Sequence, residues 1–178
     1  MPRQTVDQRV FRAALGRFAS GVTVVSTVRD GVDHLMTASA FSSVSLDPPR
    51  VLVCSSRTSR FHDAVLDTGT WGVSILSESG MKASAWFANK GRGLEEQLVD
   101  VPHHRGVTGV ALLDEAIGWL ECETVAVHDG GDHTILVGGV VGAGFDEDAD
   151  DPLLYYRSHY GTMVRLPESE KTLNDGGV

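Results

Sequence analysis

Several things are scarce in this chain, and each scarcity removes a class of protein. Only two cysteines occur, Cys54 and Cys122, both inside strand-like apolar runs, VLVCSS and WLECETV. Reduced, buried thiols are the expectation rather than a disulfide framework. No uninterrupted apolar run reaches the ~18 residues of a membrane-spanning helix, and MPRQTVDQR carries no secretory h-region, so a cytoplasmic protein without a membrane partner is expected. Clusters of lysine and arginine are missing too. The 15 basic residues stand against 24 acidic ones, a formal net charge of -9, which speaks against a nucleic-acid or anionic-membrane surface.

Familiar chemical signatures are also absent. Seven histidines invite a metal, but no CxxC, HxH or HExxH spacing exists, and the adjacent His103 and His104 point apart on an extended chain. No metal site is expected. There is no GxSxG elbow for a serine hydrolase. No GxGxxG follows a strand in a βαβ unit, so any flavin or nicotinamide is not held in the Rossmann manner.

What remains is a chain of 178 residues, 42% hydrophobic, with 20 glycines for tight turns and no linker-like stretch. One domain over residues 1–166 is expected, with 167–178 as a frayed tail lacking apolar anchors. Thr5 and Gln8 have the form of a capping box ahead of a helix of about three turns, with Val10, Phe11, Ala14, Leu15 and Phe18 as its apolar stripe and Gly21 as its stop. GVTVVSTVR reads as a strand, Asp30-Gly31 as a hairpin turn and His34 to Ala40 as the returning strand. Arg50 to Ser55 and Thr70 to Leu76 are strands that flank a helix capped by Ser59. A helix opening at Ser77 or Ser79 runs out at Asn89-Lys90-Gly91.

Pro and Gly break any period from Arg92 to Leu113, which predicts an irregular excursion. Two long strands, AIGWLECETVAVH and HTILVGGVVGAGF, are joined at Asp129 to Asp132. The acidic run 146–151 reads as a solvated loop. Leu153 to Tyr156 and Gly161 to Leu166 read as closing strands. The sum is a mainly β, antiparallel, Greek-key-like arrangement with a few short peripheral helices, for which a barrel is the natural way to remove the edges of the sheet.

Candidate chemistry centres on MTASAFSSVSLDPPRVLVC, Met36 to Cys54. Its small residues and hydroxyls suit either a Ser-rich connecting loop or a cradle against which a flat ligand lies. Three further segments could converge on it. Cys54-Ser55-Ser56-Arg57-Thr58-Ser59 gathers hydroxyls and amides at a helix N-terminus, which suits an anion or a plain helix cap. Phe87-Ala88-Asn89-Lys90 ends a helix with a ring, an amide and a cation. Gly131-Asp132-His133 puts a histidine at a glycine-rich turn.

The ordered set GVTVVST, TASAFSSVSLDPPRVLVC, SSRTSRFHDA, WGVSIL, FANKG, GDHTILVGGVV and PLLYYRSHYG resembles the flavin reductase domain family. These are NAD(P)H:flavin oxidoreductases that supply reduced flavin to two-component monooxygenases. The resemblance spans roughly Val10 to Val164 and implies an FMN-binding split β-barrel, FAD or FMN as flavin, NADH or NADPH as reductant, a homodimer and a partner monooxygenase. It implies that Thr37, Ala38, Ser39, Ala40, Phe41 and Ser42 lie along the flavin ring. By the same resemblance Cys54, Ser55, Ser56 and Ser59 hold the ribityl and phosphate part, and Phe87, Ala88, Asn89 and Lys90 supply phosphate and ring-side contacts. His133, Tyr156 and Tyr160 fall on the nicotinamide side. Hydride transfer between stacked rings needs orientation and no protein nucleophile, so Ser39 and His133 are expected to position rings. Arg57 or Arg92 would be the groups to meet a 2′-phosphate, while the overall acidity favours NADH. The alternatives are a non-catalytic flavin carrier, a split-barrel reductase of ferric chelates or cobalamin, and a pyridoxamine-phosphate-type oxidase, which lacks its expected basic cluster.

Overall fold

The computed structural model describes residues 6–148 and 151–165. Helix α1 (Gln8–Leu15) is capped by Asp7, whose carboxylate accepts from the amides of Arg9 at 2.7 Å and Val10 at 3.3 Å. Thr5, expected in that role, lies outside the described residues, and Gly16 rather than Gly21 closes the helix. The apolar stripe is real, but it is not buried by this chain: Val10, Phe11 and Leu15 are 64%, 54% and 56% exposed. Gly21 instead belongs to the short strand β1 (Ser20–Gly21).

Strands β2 (Thr23–Arg29) and β3 (Val32–Ala38) form a hairpin whose turn residues Asp30 and Gly31 both have positive φ, 53° and 76°. The expected strand ends two residues early, and Ser39-Ala40 form a corner instead. The chain then re-enters the sheet as β4 (Phe41–Leu46), an edge strand where a loop or ligand cradle was the expectation, and returns as β5 (Pro49–Ser56). Helix α2 (Arg60–Thr68) follows, then β6 (Thr70–Leu76) and helix α3 (Met81–Ala88).

The excursion from Arg92 is less irregular than its sequence. It contains the hairpin of β7 (His103–Arg105) and β8 (Ala111–Leu113), and all of β8 is buried. Three successive buried residues have no period-2 signature, so alternation could not reveal them. The long strands β9 (Ala116–Gly130) and β10 (His133–Phe145) pair along nearly their whole length. The chain closes with β11 (Leu154–Tyr156) and β12 (His159–Gly161), so the last strand starts and ends earlier than the expected Gly161 to Leu166. The expected tail 167–178 lies outside the described residues.

Seven strands form one antiparallel sheet in the order β3-β2-β6-β9-β10-β5-β4. It curls, and among the described residues no ladder joins β3 to β4 or β5, so the barrel is split, as the family resemblance implies. The Cys54 amide donates to the Ala40 carbonyl at 3.0 Å, which carries the β4–β5 pairing up to the corner. Phe61, Ala64 and Val65 of α2, none of them exposed, plug the barrel against Val53, Trp71, Val73 and Leu136. A Cβ at residue 138 would stand 2.5 Å from the Trp71 indole and 2.8 Å from the Cys122 Cβ. Glycine is therefore what lets Trp71 fill the centre.

Candidate functional site

The corner Ser39-Ala40 places a cavity of about 330 Å³ at the split, between the end of β3, β5, the start of α2 and the end of α3. Thr37, Ala38, Ser39 and Ala40 form one wall. That wall is held from behind, because the Thr23 hydroxyl donates to the Ala38 carbonyl at 2.8 Å and the Thr37 hydroxyl to the Ser84 carbonyl at 2.6 Å. The small side chains leave the volume open.

The opposite wall follows from strand parity. Cys54 and Ser56 of β5 face the cavity, while Val53 and Ser55 face the core. Ser55 is fully buried and bonded to the Ser59 hydroxyl at 3.2 Å, so it supports the wall and does not line it. Cys54 is only half-buried, against the expectation of a buried thiol, and burial raises its pKa. Cys122 is buried as expected, and burial followed by the nearby Glu121 carboxylate pushes its thiol up to about 12.

Beyond β5, Thr58 and Ser59 sit at the start of α2, where Ser59 accepts from the His62 amide at 3.1 Å. Phe87, Ala88 and Lys90 arrive from the end of α3, and the Lys90 ammonium donates to the Thr58 hydroxyl at 3.1 Å. Asn89 does not line the cavity. Its side chain accepts from the Gly91 amide at 2.9 Å and shapes the turn that presents Lys90. His133 stands at the mouth, its Nδ1 2.8 Å from the Asp132 carboxylate. That hydrogen bond, and then the imidazole's charge, lower the pKa of Asp132.

Two further lining residues, Arg60 and Arg92, were not singled out as lining residues from the sequence. Arg92 is buried and donates to the carbonyls of Phe87 at 2.8 Å, Asn89 at 2.7 Å and Leu35, and to the Gln97 side chain at 3.2 Å. It is thereby the clamp that holds the α3 end against β3. Burial and the neighbouring Arg60 lower its pKa to about 10. Arg60 donates through Nη1 to the Arg92 carbonyl at 2.7 Å, while its buried Nη2 has no partner among the described residues. A usable signal existed for Arg60: a cation in the first turn of a helix opposes the helix dipole and needs a reason to be there. Arg92 and Arg57 are both committed, Arg57 to Gly131 at 2.9 Å and Asp129 at 2.6 Å. Neither is free for a 2′-phosphate.

The rest of the expected set falls elsewhere. Phe41 and Ser42 line a second groove on the far side of the corner, which shares Ser39, Ala40 and Cys54 with the first cavity. Tyr160 bonds the Ser84 hydroxyl at 2.9 Å and faces a separate recess. Tyr156 is exposed and lines neither space, whereas its neighbour Tyr155 lines the second groove.

In a chain of net charge -9, the cavity is lined by Arg60, Lys90 and Arg92 and by no carboxylate. Small residues open one end, and hydroxyls and cations crowd the other. These residues fit a flat ring carrying a phosphate-bearing tail. A split barrel with a cationic cleft at its split is a fold and a site that suit such a ligand.

The comparisons agree. The model of the flavin reductase like domain matches residues 15–163. An NADH-dependent flavin reductase from a Rhodococcus species is 42% identical over 163 residues, covering 89% of this chain and 88% of that protein. BorF, the flavin reductase component of a bacterial two-component tryptophan halogenase, superposes with a TM-score of 0.83 at 36% identity, covering 90% of this chain and all of that one. The NADH:FAD oxidoreductase SgcE6 of Streptomyces globisporus C-1027, solved with NAD and FAD fragments, gives 0.83 at 32% identity, covering 94% and 99%. The chain belongs to the flavin reductase family.

Proposed function

We propose that this protein oxidises NADH and reduces a flavin, FAD or FMN, which it supplies to a flavin-dependent monooxygenase partner. The observation that carries the reading is the cavity at the split, small-walled at one end and cationic without carboxylates at the other. When bound, the flavin supplies the two-electron acceptor for the hydride of the nicotinamide.

The chain's own part is binding and orientation. Thr37 to Ala40 offer backbone groups and short side chains to the ring while leaving a face uncovered. Ser56, Thr58, Ser59 and Lys90 hold the phosphate end, supported by the α2 N-terminus. Cys54, Phe87 and Ala88 complete the walls, and Ser55 and Asn89 set the geometry of their neighbours. His133, oriented by Asp132, positions the nicotinamide. Tyr160 acts through Ser84, whose carbonyl holds Thr37. No side chain is required as nucleophile or obligatory base. The relatives named as flavin reductases favour this over a carrier or a ferric-chelate reductase.

A homodimer fits the exposed apolar residues of α1 and of the outer β9 and β10 positions Val125, Val127 and Val141; a monomeric mass by light scattering at micromolar concentration would refute it. No helix among the described residues is long and apolar enough to cross a membrane. A cytoplasmic protein with one folded domain over 1–166 is the accompanying proposal, in keeping with two free thiols. The function is tested by following nicotinamide absorbance with purified protein, NADH and FAD or FMN. Flavin-dependent loss of absorbance is expected, and its absence with both flavins would overturn the reading.

A further inference from the structure

His62 of α2 is only 7% exposed, yet it does not line the cavity. Its imidazole is committed to two protein partners instead. Nδ1 lies 2.8 Å from a carboxylate oxygen of Asp63, and Nε2 lies 2.9 Å from the Thr134 hydroxyl. A carboxylate only accepts, so in the neutral ring the proton sits on Nδ1 and Nε2 accepts from the Thr134 hydroxyl. The three side chains make a chain of hydrogen bonds from the surface, where the Asp63 side chain is 75% exposed, to the inner face of β10. An apolar pair could fill the same space without desolvating two polar groups; what the hydrogen bond adds is direction.

The residue it directs is the one before Thr134. Parity turns His133 and its cross-strand partner Ser56 to the cavity, while Thr134 and its partner Ser55 turn to the core. Among the described residues the His133 ring bonds only its own neighbour Asp132, and both sit at the tip of the β9–β10 hairpin. That tip is anchored from two sides. Arg57 ties the outer side, through Nε to the Gly131 carbonyl at 2.9 Å, through Nη2 to Asp129 at 2.6 Å and through its amide to the Asp132 carbonyl at 3.1 Å. His62 ties the inner side. The same segment carries the hydroxyls of the phosphate end, for Ser59 accepts from the His62 amide and bonds the Ser55 hydroxyl. One short stretch, Ser55 to Asp63, therefore fixes His133 relative to the phosphate end.

We propose that His62 is a positioning residue for hydride transfer: oriented by Asp63 and acting through Thr134, it sets where His133 meets the nicotinamide. The inference rests on the reductase reading and on the place of His133 within it.

The test compares T134V, which keeps the shape of the side chain and loses the hydroxyl, with T134S, which keeps the hydroxyl, each alone and combined with H133A, and with FMN as acceptor. T134V should raise the KM for NADH about fivefold, the weight of one hydrogen bond, with the dissociation constant for FMN unchanged, and T134S should restore wild-type behaviour. In the H133A protein T134V should change nothing further. D63A, at the exposed end of the chain, should act in the same direction. Nitrogen NMR of the wild type at about pH 8 should show His62 as the Nδ1–H tautomer, a signature that D63A abolishes. A T134V effect of equal size in the H133A background would make the bond merely structural and overturn the proposal. Equal losses of FMN and NADH affinity, or the opposite tautomer in the wild type, would overturn it too. Should T134V fail to fold, D63A with and without H133A decides by the same comparison. Wild-type protein without NADH oxidation would sink the reductase reading itself, whereas active wild type with an indifferent T134V sinks only this inference.

Discussion

Replacing Lys90 by methionine removes one charge from the phosphate end while keeping the length of the side chain. The ammonium is exposed and its one hydrogen bond goes to the Thr58 hydroxyl at 3.1 Å, so the fold should barely register the change. A bare Coulomb estimate for unit charges 4 Å apart at an effective dielectric of 20 is about 4 kcal/mol. Solvent screening at an exposed group reduces that to about 1–2 kcal/mol, the size of one charge-assisted hydrogen bond. The dissociation constant for FMN should therefore rise about tenfold. Riboflavin, which lacks the phosphate, should bind wild type and K90M alike. Quenching of flavin fluorescence on titration reads both, and 0.5 M salt should shrink the difference for FMN. Equal weakening of FMN and riboflavin would refute the placement of the phosphate, as would FMN affinity that does not move.

Other expectations concern the ring wall, the mouth and the core. Ser39→Leu should exclude the ring and weaken flavin binding at least about tenfold, with thermal unfolding nearly unchanged; unaltered titration would place the ring elsewhere. His133→Ala should raise the KM for NADH more than it changes the flavin dissociation constant, and the opposite split would reassign that residue. Glu121 is buried, which by itself raises its pKa, but bonds from the Thr108 hydroxyl and amide and the Val107 amide outweigh this and lower it below 4.5. A carboxylate with a depressed folded pKa contributes stability above its unfolded pKa and loses it as pH falls toward the folded one. Urea midpoints of wild type should therefore drop below about pH 4.5 more steeply than those of E121Q, and parallel curves would contradict the role of these bonds.

The sequence exposed local features well and tertiary ones poorly. The Ser59 cap, the Asp30-Gly31 turn and the long β9–β10 pairing are written in neighbouring residues, and the structure has all three. Parity was harder. Ser55 and Ser56 look alike in sequence, and only the position of β5 between β10 and β4 sends one inward and the other to the cavity. The split itself depends on how far the sheet curls, which no local pattern encodes, so only the resemblance carried by the ordered motifs implies it. In sequence Arg92 looks like a cation available to a phosphate, and its commitment to the carbonyls of Phe87, Asn89 and the distant Leu35 is visible only in the structure. Tyr155 and Tyr156 are adjacent, and the pairing of β11 with β12 decides which of them meets the groove.

A crystal structure of the protein soaked with FMN tests the account most directly. The account predicts electron density for the ring along Thr37 to Ala40 and for the phosphate among Ser56, Thr58, Ser59 and Lys90. Density in another recess, or a phosphate remote from Lys90, would contradict it.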